Sequence, residues 1–184
     1  MSGIDTLFTV GHSRHSAEVF LEIITAAQVT CVVDVRAVAH SSRYPHFSQD
    51  ALRAALSAAQ VTYHWAGRAL GGQRQAQADS PHVALPDAAS RGFADHMGTP
   101  EFERGVAQLL NLARRAPTAI LCAEQLPENC HRRLIADALV LRGARVIHLL
   151  DAQRRREHVL SVEARRESMI LIYDRHLTKR LDLQ

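Results

Sequence analysis

Cysteine is scarce in this chain, with three among 184 residues. So small and odd a set excludes the disulfide framework that staples small secreted domains. Long apolar runs are also missing: none approaches the roughly 20 residues a helix needs to cross a bilayer. No basic segment followed by an apolar stretch opens the chain, so no secretory leader and no membrane association are expected. The expectation is a soluble, cytoplasmic protein. Internal repeats and low-complexity tracts are lacking. So is any Gly-x-Gly-x-x-Gly or Walker pattern, since Gly71-Gly72 follows no obvious strand, and no cofactor is expected.

What is present is the composition of an ordinary globular protein, 47% hydrophobic and 22% charged, with a formal charge of +3. The length suits one domain over residues 1–184, with a core at 6–150. The mild basicity raises phosphate-bearing molecules and nucleic acid slightly as partners and decides nothing alone.

Apolar runs at Thr6–Val10, Cys31–Val35, Ala119–Ala123 and Arg145–Leu149 read as buried strands, and Val61–Trp65 alternates like an edge strand. Between them lie helix patterns. Ser16 caps one with Val19, Phe20, Ile23 and Ile24 inward, and Ser48 caps another carrying Leu52 and Leu56. Thr99-Pro100 starts a third, and Leu134, Ile135, Ala138 and Leu139 mark a fourth that Gly143 closes. Strands alternating with helices predict an α/β, three-layer Rossmann-like domain with a mostly parallel sheet of about five strands. Residues 66–98 lose periodicity and read as a lid or a surface loop, with a short helix near Phe93 to Met97. Beyond Asp151 the chain turns basic, and a last helix from about Ser161 to Tyr173 is expected.

In a parallel sheet, ligands gather at the carboxyl ends of the strands. Here those ends carry His12 and Ser13, Asp34 and Arg36, Cys122 and Glu124, and His148. The stretch Ala119–Leu139 is the richest. Asn129 as helix cap would put Cys130, His131 and Arg132 in a first turn that favours an anion and lowers a thiol pKa. Glu124, directly after a buried strand, is a candidate base, nucleophile or ion-pair partner, with His12 and Cys130 as further catalytic candidates. Ser13, Asp34, Arg36, Ser41, His131 and Arg132 are the candidate substrate or anion contacts. The spacing of Cys122, Cys130 and His131 fits no standard zinc pattern, and adjacent Cys130 and His131 make awkward ligands for one ion, so no metal is expected.

The ordered set Gly11-His12-Ser13, Asp34-Val35-Arg36, Ser41 with Pro45 and Phe47, Leu70-Gly71-Gly72, and Cys122-Ala-Glu124 with Pro127 and Cys130-His131-Arg132 resembles the uncharacterised family catalogued as domain of unknown function 488. The resemblance spans about Thr6 to Leu150 and implies a compact Rossmann-like α/β domain without an established reaction. Ala39, Tyr44 and His96 stand where the family often has Pro, Asn and Tyr, so substrate preference does not carry over.

Three functions remain open. One is an enzyme on a phosphate-bearing nucleotide or nucleic-acid substrate, a hydrolase or transferase that includes glycosidic-bond chemistry among its options. Another is rhodanese-like sulfur transfer, suggested by Asp34-Val35-Arg36 and Cys122. The third is a non-catalytic nucleic-acid-binding module that uses the arginine-rich tail.

Overall fold

The computed structural model describes residues 5–175. Strands β1 (Thr6–Gly11), β2 (Cys31–Asp34), β3 (Thr62–Trp65), β4 (Thr118–Cys122), β5 (Arg145–Leu149) and β6 (Arg155–Glu157) form one sheet in the order β3-β2-β4-β1-β5-β6. All neighbours are parallel except β5 and β6. The expected five strands are therefore present, β3 lies at an edge, and one antiparallel strand extends the other side.

Helices α1 (Ala17–Ala26) and α2 (Gln49–Ala58) cover one face, where Phe20, Ile24, Leu52 and Leu56 meet Val10, Val32 and Leu121. The opposite face carries α3 (Gly67–Leu70), α4 (Ala88–Met97), α5 (Pro100–Ala113) and α6 (Arg132–Leu141). There Phe93, Phe102, Val106, Leu134 and Ile135 bury Leu7, Val33, Ile120 and Val146. Strands whose two faces are both covered are apolar along most of their length, as in Cys31–Val33 of β2 and Ala119–Cys122 of β4. Helix starts follow the sequence at Ser16, whose Oγ accepts from Val19 N (3.3 Å), and at Thr99, whose Oγ1 accepts from Phe102 N (3.3 Å). Val19 itself faces solvent rather than the core. Gly143 takes a positive φ of 83° just past α6, a position that an L side chain rarely adopts.

Residues 66–98 hold α3 and α4; α4 is capped by Asp87, includes the short helix expected near Phe93 to Met97 and extends it back to Ala88, with Phe93 completely buried. One expectation changes. The expected helix at Ser161–Tyr173 is instead a hairpin of β7 (Ala164–Glu167) and β8 (Ile170–Tyr173), turning at Ser168 in the left-handed region. Ile170 to Tyr173 alternate exposed and buried, so only an extended chain sends Leu171 and Tyr173 into the core together. Among the described residues, no helix is long and apolar enough to cross a membrane.

The sheet order places its reversal between β1 and β4. The chain leaves β1 toward β2 on one side and leaves β4 toward β5 on the other. That crevice, at the carboxyl ends of both strands, is the switch point where open α/β sheets hold ligands.

Candidate functional site

An open cleft of about 1010 Å³ lies at this switch point. Seven of the nine sequence-derived candidates line it: His12, Ser13, Arg36, Ser41, Glu124, Cys130 and His131. The β1 and β4 backbones continue to pair past their strands, with His12 N donating to Cys122 O (2.9 Å) and Ser13 N to Ala123 O (2.8 Å). This pairing holds the Gly11-His12-Ser13 and Cys122-Ala123-Glu124 segments side by side.

Asp34 lies beneath the floor, with no exposed surface. Its carboxylate accepts from Arg36 Nε (2.9 and 3.1 Å), Arg36 NH2 (2.6 Å) and Tyr63 Oη (2.8 Å). This fork holds the Arg36 guanidinium at the cleft, and its NH1 donates to His12 Nε2 (3.3 Å). His12 Nδ1 faces the Ser13 carbonyl (3.0 Å), which only accepts, so Nδ1 carries the proton and Nε2 offers the lone pair. Burial, then the Arg36 charge, pulls the His12 pKa down to about 4. His12 is therefore a neutral acceptor near pH 7, stacked on Phe47 with ring centroids 4.3 Å apart.

The segment leading into α6 differs from expectation. Pro127–Asn129 form a 3₁₀ turn, Cys130 is extended, and His131 occupies the position before the helix, so Asn129 is not the cap. The first helical amide, Arg132 N, points at Cys130 Sγ (3.5 Å), so the helix start serves that sulfur. Among Cys122, Cys130 and His131, the two sulfurs and Nδ1 lie within 4.8 Å of one another. Adjacency in sequence does not keep the Cys130 and His131 ligand atoms apart: Cys130 Sγ lies 3.7 Å from His131 Nδ1. Cys130 is held well below the usual thiol range by the hydrogen bond from Cys122, with His131 and Arg132 adding to it. Cys122 is pushed well above that range by the same bond and by burial. Cys31 is buried in the core, with its pKa raised by burial, as expected for a packing residue.

Glu124 is exposed on the cleft rim and not partly desolvated, because its main chain alone is tied down. Its carbonyl accepts from the Arg132 guanidinium. Arg132 is 1% exposed and does not line the cleft; it donates to Thr9 Oγ1 (3.2 Å) and to the Glu124 and Gln125 carbonyls, fastening the loop from below. An anion in the cleft therefore meets Arg36 and not Arg132.

His148 also departs from expectation. It lies under β1 on the α6 side, away from the cleft. Asp137 accepts from His158 Nε2 (2.8 Å), Ser161 N (2.8 Å) and Tyr173 Oη (3.0 Å). With Nε2 protonated, His158 Nδ1 accepts from His148 Nε2 (2.9 Å), and His148 Nδ1 accepts from Thr9 Oγ1 (2.7 Å). Every donor from Arg132 through Thr9, His148 and His158 to Asp137 thus points the same way, an arrangement in which each bond polarises the next.

Burial, then the neighbouring His158, Arg132 and Arg156, takes the His148 pKa down to about 3, with Asp137 opposing. The unfolded chain holds a proton on this residue below about pH 6.5 and the folded chain does not, so stability falls as pH drops from 6.5 toward 3. Urea unfolding at pH 7 and pH 5 should show His148→Gln losing about 2 kcal/mol less than the parent over that interval. Equal losses in the two proteins would show that His148 takes up its proton without unfolding.

The residues that sequence patterning passed over are Arg14 and Arg43 on the cleft rim, Gly72 beside His131, and Tyr63 under Asp34. Arg14 directly follows Ser13, and Arg43 sits in the polar loop after β2, so their positions after strands were the available signal. Tyr63 carries none, because its role depends on the β2–β3 register that pairs it with Val32.

The layers and the cleft at the switch point define a three-layer α/β protein of the Rossmann-like class. The model of the family described as domain of unknown function DUF488 matches residues 16–139, and the chain belongs to that family. No curated protein and no solved structure matches it.

Proposed function

We propose that this protein is an enzyme acting on a phosphate-bearing substrate, a nucleotide or a nucleic-acid segment, by hydrolysis or group transfer in the switch-point cleft. One observation carries the reading: Arg14 and Arg43, exposed and without an acidic partner among the described residues, flank the same cleft whose floor presents Arg36. Of the acidic lining, only Glu124 is left without a side-chain partner among the described residues. Glu128 pairs with Arg156, and Asp87 caps α4 through Ser90. The cleft volume suits a ligand of nucleotide size.

Within this reading Arg14, Arg36 and Arg43 hold the phosphate, and Ser13 and Ser41 bound its approach. Glu124 makes no side-chain hydrogen bond or ion pair among the described residues, so its carboxylate is free to act as a base or toward a sugar carbon. His12 supplies a lone pair at Nε2. Sulfur transfer fits the same cleft less well, because both thiols are already turned to His131 Nδ1 and to each other. The tail arginines support a separate nucleic-acid surface poorly: Arg154, Arg156 and Arg165 each pair with a carboxylate.

Calorimetry at low salt with inorganic phosphate, nucleoside mono- and diphosphates and a short single-stranded oligonucleotide tests the reading. Arg14→Ala and Arg43→Ala should each weaken binding about tenfold, the usual worth of one charge-assisted hydrogen bond. Added salt should weaken it further. Absence of binding to every one of these ligands would overturn the proposal. With a ligand in hand, release of free base or phosphate that Glu124→Gln abolishes would identify the bond that breaks.

A further inference from the structure

We propose that Cys122 Sγ, Cys130 Sγ and His131 Nδ1 form a binding site for a thiophilic divalent cation, zinc first among them, with a fourth coordination position open to the cleft. The argument begins with the imidazole. His131 Nε2 lies 3.0 Å from the Val35 carbonyl, which only accepts, so the ring proton of the neutral side chain is on Nε2. Nδ1 is then a bare lone pair, and it faces Cys130 Sγ at 3.7 Å and Cys122 Sγ at 3.9 Å. A metal-binding histidine characteristically donates its other ring N–H to a backbone carbonyl or carboxylate, which fixes the ring and its tautomer. The Val35 carbonyl does this here.

The distances match a coordination polyhedron. Zinc bonds of about 2.3 Å to sulfur and about 2.0–2.1 Å to nitrogen give tetrahedral edges of about 3.5 Å for nitrogen to sulfur and about 3.8 Å for sulfur to sulfur. The two nitrogen–sulfur separations are within roughly half an ångström of that edge, and all three donors fit inside 4.8 Å. As thiol hydrogen bonds the two sulfur–nitrogen contacts are long. A cation that accepts all three donors satisfies them together.

The surroundings are shaped for it. Phe93 packs on the His131 ring with centroids 5.0 Å apart and holds its tilt. Gly72 lies beside Nδ1, where a Cβ would come within 2.9 Å of that nitrogen, so only glycine leaves the nitrogen approachable from that side. The Arg132 amide points at Cys130 Sγ, and the buried Arg132 guanidinium has no carboxylate partner among the described residues, which favours sulfur in its anionic, ligating form. All three ligand residues line the cleft, so a water or a substrate oxygen would take the fourth place, as in zinc sites with three protein ligands and one open position.

Binding forms two metal–sulfur bonds and one metal–nitrogen bond and releases the remaining thiol protons to solvent. Nothing is oxidised or reduced. Two thiolates and a divalent ion sum to no net charge, which suits a site that is largely buried. Softness of the donor set selects zinc or cobalt over magnesium or calcium.

The proposal stands apart from the phosphate reading, since metal uptake and phosphate binding are measured separately. The full chain, purified under reducing conditions without chelator, should carry close to one zinc per molecule by mass spectrometry of the metal. After stripping with chelator, titration with cobalt(II) should give the intense visible bands of a tetrahedral ion and thiolate-to-cobalt charge transfer. Cys122→Ser, Cys130→Ser and His131→Ala should each lower cobalt affinity at least ~100-fold, beyond the loss from an altered outer-sphere partner. Cys31→Ala, distant in the core, should leave affinity unchanged. If a ligand variant fails to fold, the wild-type spectrum still reports the donor set, and zinc should slow alkylation of Cys122 and Cys130. A stripped, folded protein whose cobalt spectrum stays that of the hexa-aqua ion, or whose two thiols alkylate equally fast with and without zinc, would overturn the proposal.

Discussion

Replacing Asp34 by alanine is expected to lower the unfolding free energy by about 3–5 kcal/mol, the cost of leaving one member of a buried ion pair without its partner. Asp34 has no exposed surface, and Arg36 is 6% exposed. The carboxylate also receives the Tyr63 hydroxyl and the Arg36 amide, so four donors lose their acceptor at once. The double variant Asp34→Ala/Arg36→Met should recover part of the loss, since an apolar pair carries no unpaired charge. Urea unfolding followed by circular dichroism measures both. A loss under 1 kcal/mol in the single variant would mean that the cleft hydrates Arg36 fully, and the guanidinium would then owe its position to something other than Asp34.

Gly11→Ala should be similarly damaging, by about 3 kcal/mol or more, because overpacking against backbone has no rotamer through which to relax. A Cβ at this position would sit 1.8 Å from the Glu124 carbonyl oxygen and 2.9 Å from Arg132 NH2. The substitution therefore pushes the β1 end away from the Cys122–Glu124 segment and disturbs the Arg132 fastening together. Gly98→Ala is the matched control: its Cβ would come no closer than 3.6 Å to Asp95 O, and stability should change by less than about 1 kcal/mol. Equal effects of the two substitutions on the urea midpoint would refute the steric account.

Much of this architecture was legible in the chain because burial on both faces leaves an unmistakable mark. β1, β2, β4 and β5 carry apolar runs, and once they are read as parallel their carboxyl ends must share an edge. That geometry brings His12, Arg36 and Glu124 to one cleft without further information. The unread parts depend on contacts between distant segments. Nothing local in Arg132 says that it turns down toward Thr9, 123 residues away, instead of up toward the cleft. His148 looks like any strand-end residue until the segment after β6 brings His158, and α6 brings Asp137, beneath it. The sulfur–imidazole cluster was obscured by reading Asn129 as a helix cap. The 3₁₀ turn that starts at Pro127 folds Cys130 back over Cys122, and Pro127 was the residue that signalled it. The hairpin at 164–173 was missed because short runs rich in leucine and isoleucine satisfy helix and strand patterns alike.

The position of β1 in the sheet bears on how the protein is made. Its partners are β4 and β5, so Leu7 pairs with Thr118 and Thr6 with Arg145. Of the strands in this sheet β1 comes earliest in the chain yet lies in its interior, and it waits unpaired while more than a hundred residues follow. At translation rates of about 5–20 residues per second, that wait is on the order of 10 s. Throughout it an apolar strand ending in Gly11-His12 has no ladder to join, and the distant pairings that close the sheet are slow to form. During synthesis this stretch is an unpaired apolar strand of the kind that is prone to aggregate.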